Sequence, residues 1–291
     1  MPGSRSLLVV ADGATVWEER WDGGGPGTSV NVKSAAKSLL SALVGIALER
    51  GHLRSLEAPV LELLPEAFQG VEEAPGRALT LRHLLTMTAG LESTSGTGYG
   101  PWVASPDWVR YVLTRRRVAP PGELFIYSTG SSHLLSAILT RATGQPTRDF
   151  ARQALLEPLG IEASWSRDPQ GIDFGGNELR MTPRALARFG QLYLQGGEWA
   201  GQQLVPAAWI QESRRRHAEG WPDRYGAYGY LWWLPPGRPG GAYMAMGYGG
   251  QVLYVAPERA LVVVVTSTLE GKGVEWDRQL LGLLADLVAA P

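Results

Sequence analysis

The stretch that decides the fold is SAAKSLLSALVGIALERG, residues 34–51. From Leu39 to Leu48 its apolar side chains cover almost the whole circumference of a helix. A helix that is apolar on every side is a buried one, and Gly51, directly after Arg50, is a suitable residue to end it. The stretch therefore predicts a buried helix over residues 34–50.

The first turn of this helix carries Ser34 and Lys37. Residues i and i+3 share a helix face, so Ser34 Oγ and Lys37 Nζ can meet. Burial lowers the pKa of a lysine toward neutrality, and we expect repulsion from Lys33 to act in the same direction. A neutral Lys37 could take the Ser34 proton and activate it as a nucleophile. The alternative is a capping serine followed by a chance lysine, which is less attractive because arginine supplies all but three of the 27 basic residues.

Outward from this helix, strands are predicted at both ends of the chain and helices between them. The strands are expected at 6–10, 15–19, 228–234, 241–246, 252–255 and 260–266, and the first two form a hairpin around Asp12-Gly13. Helices are expected at 79–87, 106–113, 132–142, 148–155, 182–194, 206–215 and 274–289, and residues 93–101 are expected to be loop. The pattern predicts an α+β fold in which residues 1–52 and 181–291 form one α/β domain and residues 53–180 form an inserted, mainly helical domain.

Composition excludes several classes of function. The net charge of -1 gives no basic excess for nucleic acid or anionic membranes. There is no cysteine, and the four histidines are scattered, so neither a disulfide, a thiol nucleophile nor a zinc site is expected. The longest aliphatic run, 261–265, is far too short to cross a membrane. The first ten residues show no secretory pattern, and we expect a cytoplasmic protein without metal or cofactor.

Two further segments carry candidate chemistry. Tyr127-Ser128-Thr129 lies on a loop before a predicted helix, where the phenol could project into a cleft and ionise more easily beside a cationic Lys37. The stretch 245–251 (AMGYGGQ) ends a predicted strand, and its small residues let a substrate approach the backbone. Here a backbone N–H could join that of Ser34 in an oxyanion hole. The alternatives are a packed tyrosine and a bulged hairpin turn. Trp102, Trp108, Trp232 and Trp233 could line an apolar cleft, but we expect most of these tryptophans to be core residues.

In this order the motifs resemble those of the serine β-lactamase and penicillin-binding protein superfamily, in particular its class C-like branch. Ser34-Ala35-Ala36-Lys37 matches Ser-x-x-Lys, Tyr127-Ser128-Thr129 stands where that branch has Tyr-x-Asn, and Ala245-Met246-Gly247 stands where it has Lys-Thr-Gly or His-x-Gly. Supporting stretches at 81–91, 188–194 and 228–233 are similar too. The resemblance covers nearly the whole chain and implies a β-lactamase/transpeptidase-like fold with a cleft between its two parts.

The resemblance also implies roles for individual residues. Ser34 would be the acylated nucleophile, Lys37 its base and Tyr127 a proton relay, with the division between the last two left open. The backbone N–H groups of Ser34 and Tyr248 would hold the oxyanion. Substrate contacts would come from Thr129, Ala245, Gly247 and Gly249.

Two departures from the motifs affect the predicted substrate. Thr129 replaces an amide, and Ala245 replaces the cation that would bind a substrate carboxylate. Loss of such a charged hydrogen bond costs about 1.5–3 kcal/mol. The pattern is therefore closer to nylon-oligomer hydrolases and family VIII-type carboxylesterases, and predicts a serine hydrolase that cleaves a small ester or amide through an acyl-enzyme. The alternatives are a β-lactamase or D-Ala-D-Ala carboxypeptidase, and a catalytically silent binding protein. The oligomeric state stays open.

Overall fold

The fold is described from a computed structural model, which covers residues 3–236, 241–268 and 274–289. Its strands are β1 Ser4–Ala11, β2 Ala14–Arg20, β3 Val30–Asn31, β4 Ser164–Trp165, β5 Leu179–Met181, β6 Glu198–Trp199, β7 Gln202–Gln203, β8 Ala218–Trp221, β9 Gly226–Tyr228, β10 Trp233–Leu234, β11 Tyr243–Gly247, β12 Gln251–Ala256 and β13 Leu261–Ser267. Its α-helices are α1 Ala36–Glu49, α2 Val60–Leu63, α3 Leu81–Leu85, α4 Tyr99–Val103, α5 Trp108–Leu113, α6 Thr129–Thr143, α7 Thr147–Ala151, α8 Pro183–Leu194, α9 Ala207–Ser213 and α10 Val274–Ala289.

A large antiparallel sheet joins the two ends of the chain. Within the described residues its order is β2-β1-β13-β12-β11-β10-β9-β8. β1 and β2 form the predicted hairpin, and β1 pairs with β13 from Ser4 to Ala11. Every residue of β12 and β13 is buried, since both faces of these central strands are covered. The sheet and the helices confirm the predicted α+β class.

Two helices pack close to their neighbours because glycine removes a side chain at the contact. A methyl group on Gly190 of α8 would lie 2.7 Å from both Leu253 and Val262 of the sheet. A methyl group on Gly45 of α1 would overlap the indole of Trp209 on α9. α1 is buried from Ala36 to Ala47, so the helix predicted to be buried lies inside the core between the sheet and the helical segment that contains α6.

Some local predictions were wrong. The predicted single strand 228–234 is instead a turn between two strands: Leu231, with a left-handed backbone (φ 61°), lies between β9 and β10, which pair with each other through Tyr228 and Trp233. The predicted loop 93–101 contains the start of α4. α6 begins at Thr129, three residues before the predicted start. Each error lies where a turn or cap is set by tertiary contacts rather than by apolar periodicity.

Candidate active site

Ser34 and Lys37 lie at the start of α1, where a 3-10 turn over Lys33–Ala35 leads into the helix. Lys37 Nζ donates hydrogen bonds to Ser34 Oγ (2.9 Å) and to the carbonyl oxygen of Gly176 (2.9 Å). A third acceptor, Thr129 Oγ1, lies 3.5 Å away. The structure thus brings the lysine amine to the serine hydroxyl, with neutral oxygens as its hydrogen-bond partners.

The surroundings of Lys37 decide its charge. The residue is 1% exposed, and burial lowers the pKa of its ammonium from the ordinary 10.5 to about 7. A large fraction of Lys37 is therefore neutral at neutral pH and able to accept a proton. The expected repulsion from Lys33 is wrong as a cause, since Lys33 Nζ is paired with Glu178 Oε1 at 3.0 Å and burial alone accounts for the shift.

Tyr127 lies beside this pair. Lys37 Nζ is 5.1 Å from the centre of the Tyr127 ring, and the ring stacks on Trp233 at 5.8 Å. Burial raises the pKa of the Tyr127 phenol to about 12, against the opposing effect of a hydrogen bond with Ser34. The expectation that this phenol ionises more easily is wrong, because burial disfavours the charged phenolate and is the largest cause of the shift in its pKa. Tyr127 stays protonated at neutral pH and can donate a proton.

Thr129 is the first residue of α6 and is buried. Its hydroxyl lies 2.9 Å from Ser95 Oγ, which also accepts the Thr129 backbone N–H at 2.9 Å. Ser95 was not singled out from the sequence, since its segment carries no distinctive pattern. The Thr129 side chain therefore has partners in both Ser95 and Lys37.

The end of β11 approaches the turn that carries Ser34. A side chain on Gly247 would overlap the carbonyl oxygen of Val32, so only glycine lets the two backbones come this close. Ala245 is buried within β11, and its methyl group offers no charge to a substrate. Tyr248, the next residue after the strand, has a side chain that is 72% exposed. Gly249 follows with a positive φ of 76°.

A glycine pair that sequence reasoning missed completes the surroundings of Lys37. A side chain on Gly176 would overlap Ser132 Oγ and lie 3.0 Å from Lys37 Nζ. The Gly175 N–H donates to His133 Nδ1 (3.2 Å), so the proton of this imidazole is on Nε2, which donates to Asp168 Oδ2 (3.0 Å). This buried histidine–aspartate pair holds the loop that presents the Gly176 carbonyl. The sequence signal for this site was limited to the two adjacent glycines themselves.

The four tryptophans considered for an apolar cleft are core residues. Trp102, Trp108, Trp232 and Trp233 are all buried, as expected for most of them. The partly exposed indole beside Tyr127 is that of Trp221, with ring centres 5.5 Å apart, and it is 38% exposed. It stacks on Trp233 at 4.9 Å. An aromatic wall therefore continues from Tyr127 to the surface.

The described part of the chain shows neither a metal-binding cluster nor a membrane-spanning helix. No cluster of three or more histidine, cysteine, aspartate or glutamate residues with the geometry of a metal site occurs in it. None of its helices combines the length and the apolar character needed to cross a membrane.

Comparison with known proteins places this geometry in context. The family model described as Beta-lactamase matches residues 4–285. The 6-aminohexanoate-dimer hydrolase of Paenarthrobacter ureafaciens is 25% identical, over 97% of this chain and 78% of that protein. The D-alanyl-D-alanine-carboxypeptidase/endopeptidase AmpH of Escherichia coli strain K12 is also 25% identical, over 82% of this chain and 71% of that protein.

A solved structure of a similarly named protein also matches this chain. The structure described as a candidate 6-aminohexanoate-dimer hydrolase from Bacillus anthracis superposes with a TM-score of 0.85 and 25% identity, over 98% of this chain and 79% of that one. These matches confirm the resemblance predicted from the motifs, the β-lactamase/transpeptidase-like fold and the class of enzyme, a serine hydrolase.

Proposed function

We propose that this chain, which belongs to the β-lactamase family, hydrolyses a small ester or amide through an acyl-enzyme on Ser34. The observation that carries the proposal is the 2.9 Å hydrogen bond from Lys37 Nζ to Ser34 Oγ, made by a buried lysine whose pKa is about 7. A general base works best when its pKa lies near the working pH. Lys37 meets this condition, and Tyr127, with a pKa near 12, does not.

Acylation follows from these roles. Neutral Lys37 takes the Ser34 proton as Ser34 Oγ attacks the substrate carbonyl carbon, which gives a tetrahedral oxyanion. The backbone N–H groups of Ser34 and Tyr248 are proposed to hold that oxyanion, a contribution of about 2.7–4 kcal/mol per donor in comparable sites. The carbon–oxygen or carbon–nitrogen bond to the leaving group then breaks. Tyr127 gives its proton to the departing atom and is reprotonated from Lys37.

Deacylation runs the same path with water as the nucleophile. Water attacks the acyl carbonyl, its proton passes to the Lys37 and Tyr127 pair, and Ser34 Oγ leaves and regains a proton. Both steps need a lysine that can lose and regain a proton near neutral pH. The buried position of Lys37 provides that property.

The proposed substrate class is supported by the lack of a charged side chain at position 245 and by the names of the similar proteins. One relative is named a 6-aminohexanoate-dimer hydrolase. In this chain Ala245 brings no cation to a substrate carboxylate. Thr129 and the backbone of Gly247 and Gly249 are proposed substrate contacts. The second candidate function, a β-lactamase or D-Ala-D-Ala carboxypeptidase, is favoured by the similarity to AmpH.

The test is hydrolysis of p-nitrophenyl acetate and butyrate by the wild type, Ser34→Ala and Lys37→Ala. We expect both variants to lose activity in parallel, and Ser41→Ala, which removes a hydroxyl from the same helix, to retain it. Unchanged activity in Ser34→Ala would contradict the acyl-enzyme. Covalent labelling by a penicillin with turnover would favour the second candidate. Equal ligand binding by the wild type and Ser34→Ala, with no turnover of any substrate, would favour a catalytically silent binding protein.

A further inference from the structure

Two segments meet beside Ser34 in a backbone conformation that side-chain-bearing residues rarely adopt. Lys33, directly before the serine, has φ 52°, and Glu178, two residues after Gly176, has φ 54°. Glycine takes this left-handed conformation without cost, whereas other residues need surrounding contacts to hold them there. Neither residue is glycine, so contacts at these two positions must supply that hold.

The contacts come from three side chains. Lys33 Nζ donates to Glu178 Oε1 (3.0 Å), and Asn31 Nδ2 donates to Glu178 Oε2 (2.8 Å). Asn31 Oδ1 in turn accepts the backbone N–H of Lys33 (2.9 Å). Each oxygen of the Glu178 carboxylate thus has a donor from the segment that carries Ser34. We call Asn31, Lys33 and Glu178 the clamp.

The clamp extends a pair of strands toward the active site. β3 and β5 pair through Asn31 and Arg180, and the Val32 N–H still donates to the Leu179 carbonyl oxygen at 2.9 Å. Beyond that point the backbone ladder ends, and the ion pair from Lys33 to Glu178 replaces it. The clamp therefore holds the two segments together just where they diverge.

The segments that contain Lys33 and Glu178 lie directly next to the proposed reacting groups in the chain. Lys33 is bonded to Ser34, and Glu178 is separated from Gly176 by one residue. Lys37 Nζ bridges Ser34 Oγ and the Gly176 carbonyl oxygen. The path from Glu178 through Lys33, Ser34, Lys37 and Gly176 back to Glu178 is a closed ring of covalent and hydrogen bonds.

We propose that Lys33 and Glu178 are positioning residues, which hold Ser34 and the Gly176 carbonyl at the distances that keep Lys37 dry and in contact with the nucleophile. The proposal rests on the proposed function, since it assigns the clamp to the same acylation step. Neither clamp residue needs to touch the substrate. Their effect passes through the backbone on either side of Lys37.

Loosening the clamp has two expected consequences. Displacement of Ser34 or Lys37 by about 1 Å lowers kcat on the order of tenfold to a hundredfold, with a smaller change in KM. Water that reaches Lys37 also raises its pKa, because burial is the cause of its low value. The acidic limb of the pH dependence of kcat/KM then moves to higher pH.

The experiment compares alanine and glycine at each position with p-nitrophenyl butyrate as substrate. Lys33→Ala and Glu178→Ala remove the ion pair and keep the strained backbone, whereas Lys33→Gly and Glu178→Gly remove the pair and relieve the strain. We expect the glycine variants to retain several-fold more kcat than the alanine variants. Asp12→Ala is the matched control, since Asp12 has the same left-handed backbone (φ 48°) in the hairpin turn between β1 and β2.

Two further variants separate positioning from general stability. Lys33→Arg keeps a cation for Glu178 and should restore most of kcat and the wild-type pH profile. Lys33→Ala/Glu178→Ala should lose no more than the worse single variant, because residues that act as one unit are not additive. Melting temperatures are measured in parallel to show that each variant is folded.

The proposal is overturned if folded Lys33→Ala and Glu178→Ala keep the wild-type kcat and the wild-type acidic limb, or if their losses add. Ser34→Ala separates this failure from that of the proposed function. An inactive Ser34→Ala variant together with clamp variants of wild-type activity would contradict only the proposed role of the clamp. An active Ser34→Ala variant would contradict the acyl-enzyme and, with it, the role of the clamp.

Discussion

The two ends of α1 are built in different ways. The body of the helix, Leu39 to Ala47, is held by apolar side chains that are buried on all sides. Its first turn and the residues before it hold a buried amine, the hydroxyl proposed as the nucleophile and a lysine with a left-handed backbone. The body is fixed by the non-directional burial of apolar surface, whereas the first turn is fixed by directed contacts to residues 92–145 positions away. We therefore expect the stability of the fold to depend mainly on the body of the helix and the proposed chemistry on its first turn.

The largest effect should come from Lys37→Met, which replaces the buried amine of the first turn with an apolar side chain like those in the body of the helix. Activity should fall by at least about 10³-fold, since the nucleophile loses its base. The same change should stabilise the fold, because a methionine of similar length needs no desolvated amine. Steady-state kinetics and thermal unfolding of the same preparation measure both effects. A variant that loses activity and stability together would contradict this division.

The stabilisation should depend on pH in a defined sense. Wild-type Lys37 has a folded pKa of about 7, below its ordinary 10.5, so the unfolded chain binds the extra proton between these values. Buried Lys37 therefore lowers the free energy of unfolding of the wild type by an amount that depends on pH. This loss is absent above pH about 10.5, grows as the pH falls and is complete below pH about 7, where it reaches up to about 5 kcal/mol. The difference in unfolding free energy between Lys37→Met and wild type should follow that curve. A difference that does not change with pH would contradict it.

Leu43→Ala changes the body of the helix and leaves its first turn intact. Leu43 is fully buried in α1, and Leu43→Ala should lower the unfolding free energy by about 2–5 kcal/mol through the lost apolar burial and the cavity left behind. In the folded fraction kcat should stay close to wild type. Urea unfolding and active-site titration together check this expectation. A drop in kcat with little loss of stability would mean that the two parts of the helix are coupled.

A smaller effect should come from Gly176→Ala. Its methyl group would overlap Ser132 Oγ and crowd Lys37 Nζ, and the carbonyl that accepts from Lys37 must then shift. A displacement of this kind lowers kcat on the order of a hundredfold. Gly282→Ala is the control, since nothing lies near the added methyl group in α10. Equal activity of the two variants would mean that the Gly176 carbonyl does not position Lys37.

The same contrast explains what the sequence could predict. The buried helix, the hairpin at the amino terminus and the helix over 274–289 follow from apolar periodicity and turn residues, which are local. The motif order predicted the family through Ser34, Lys37 and Tyr127. Gly176, Ser95 and Glu178 were missed because they act through contacts with residues distant in the chain, and such contacts leave no periodic signal. The turn at Leu231 was missed for the same reason.

The direction of the Tyr127 shift was also beyond the sequence. Its sign depends on whether a neighbouring cation or burial dominates, and that requires the charge of Lys37, which itself depends on burial. Trp221, whose indole lies beside Tyr127, was not singled out from the sequence because it lies in a short strand with no distinctive pattern.

The central claim is that Lys37 has a pKa near 7, so that a substantial fraction of it is neutral at that pH, and that it is the base for Ser34. Because the chain has only three lysines, an NMR titration of protein labelled with 13C at lysine Cε tests it directly, with the Lys37 resonance assigned by its absence in Lys37→Met. The account predicts that this resonance titrates near pH 7 and that the acidic limb of kcat/KM has the same midpoint. A Lys37 resonance that moves only near the ordinary lysine value of 10.5 would contradict it.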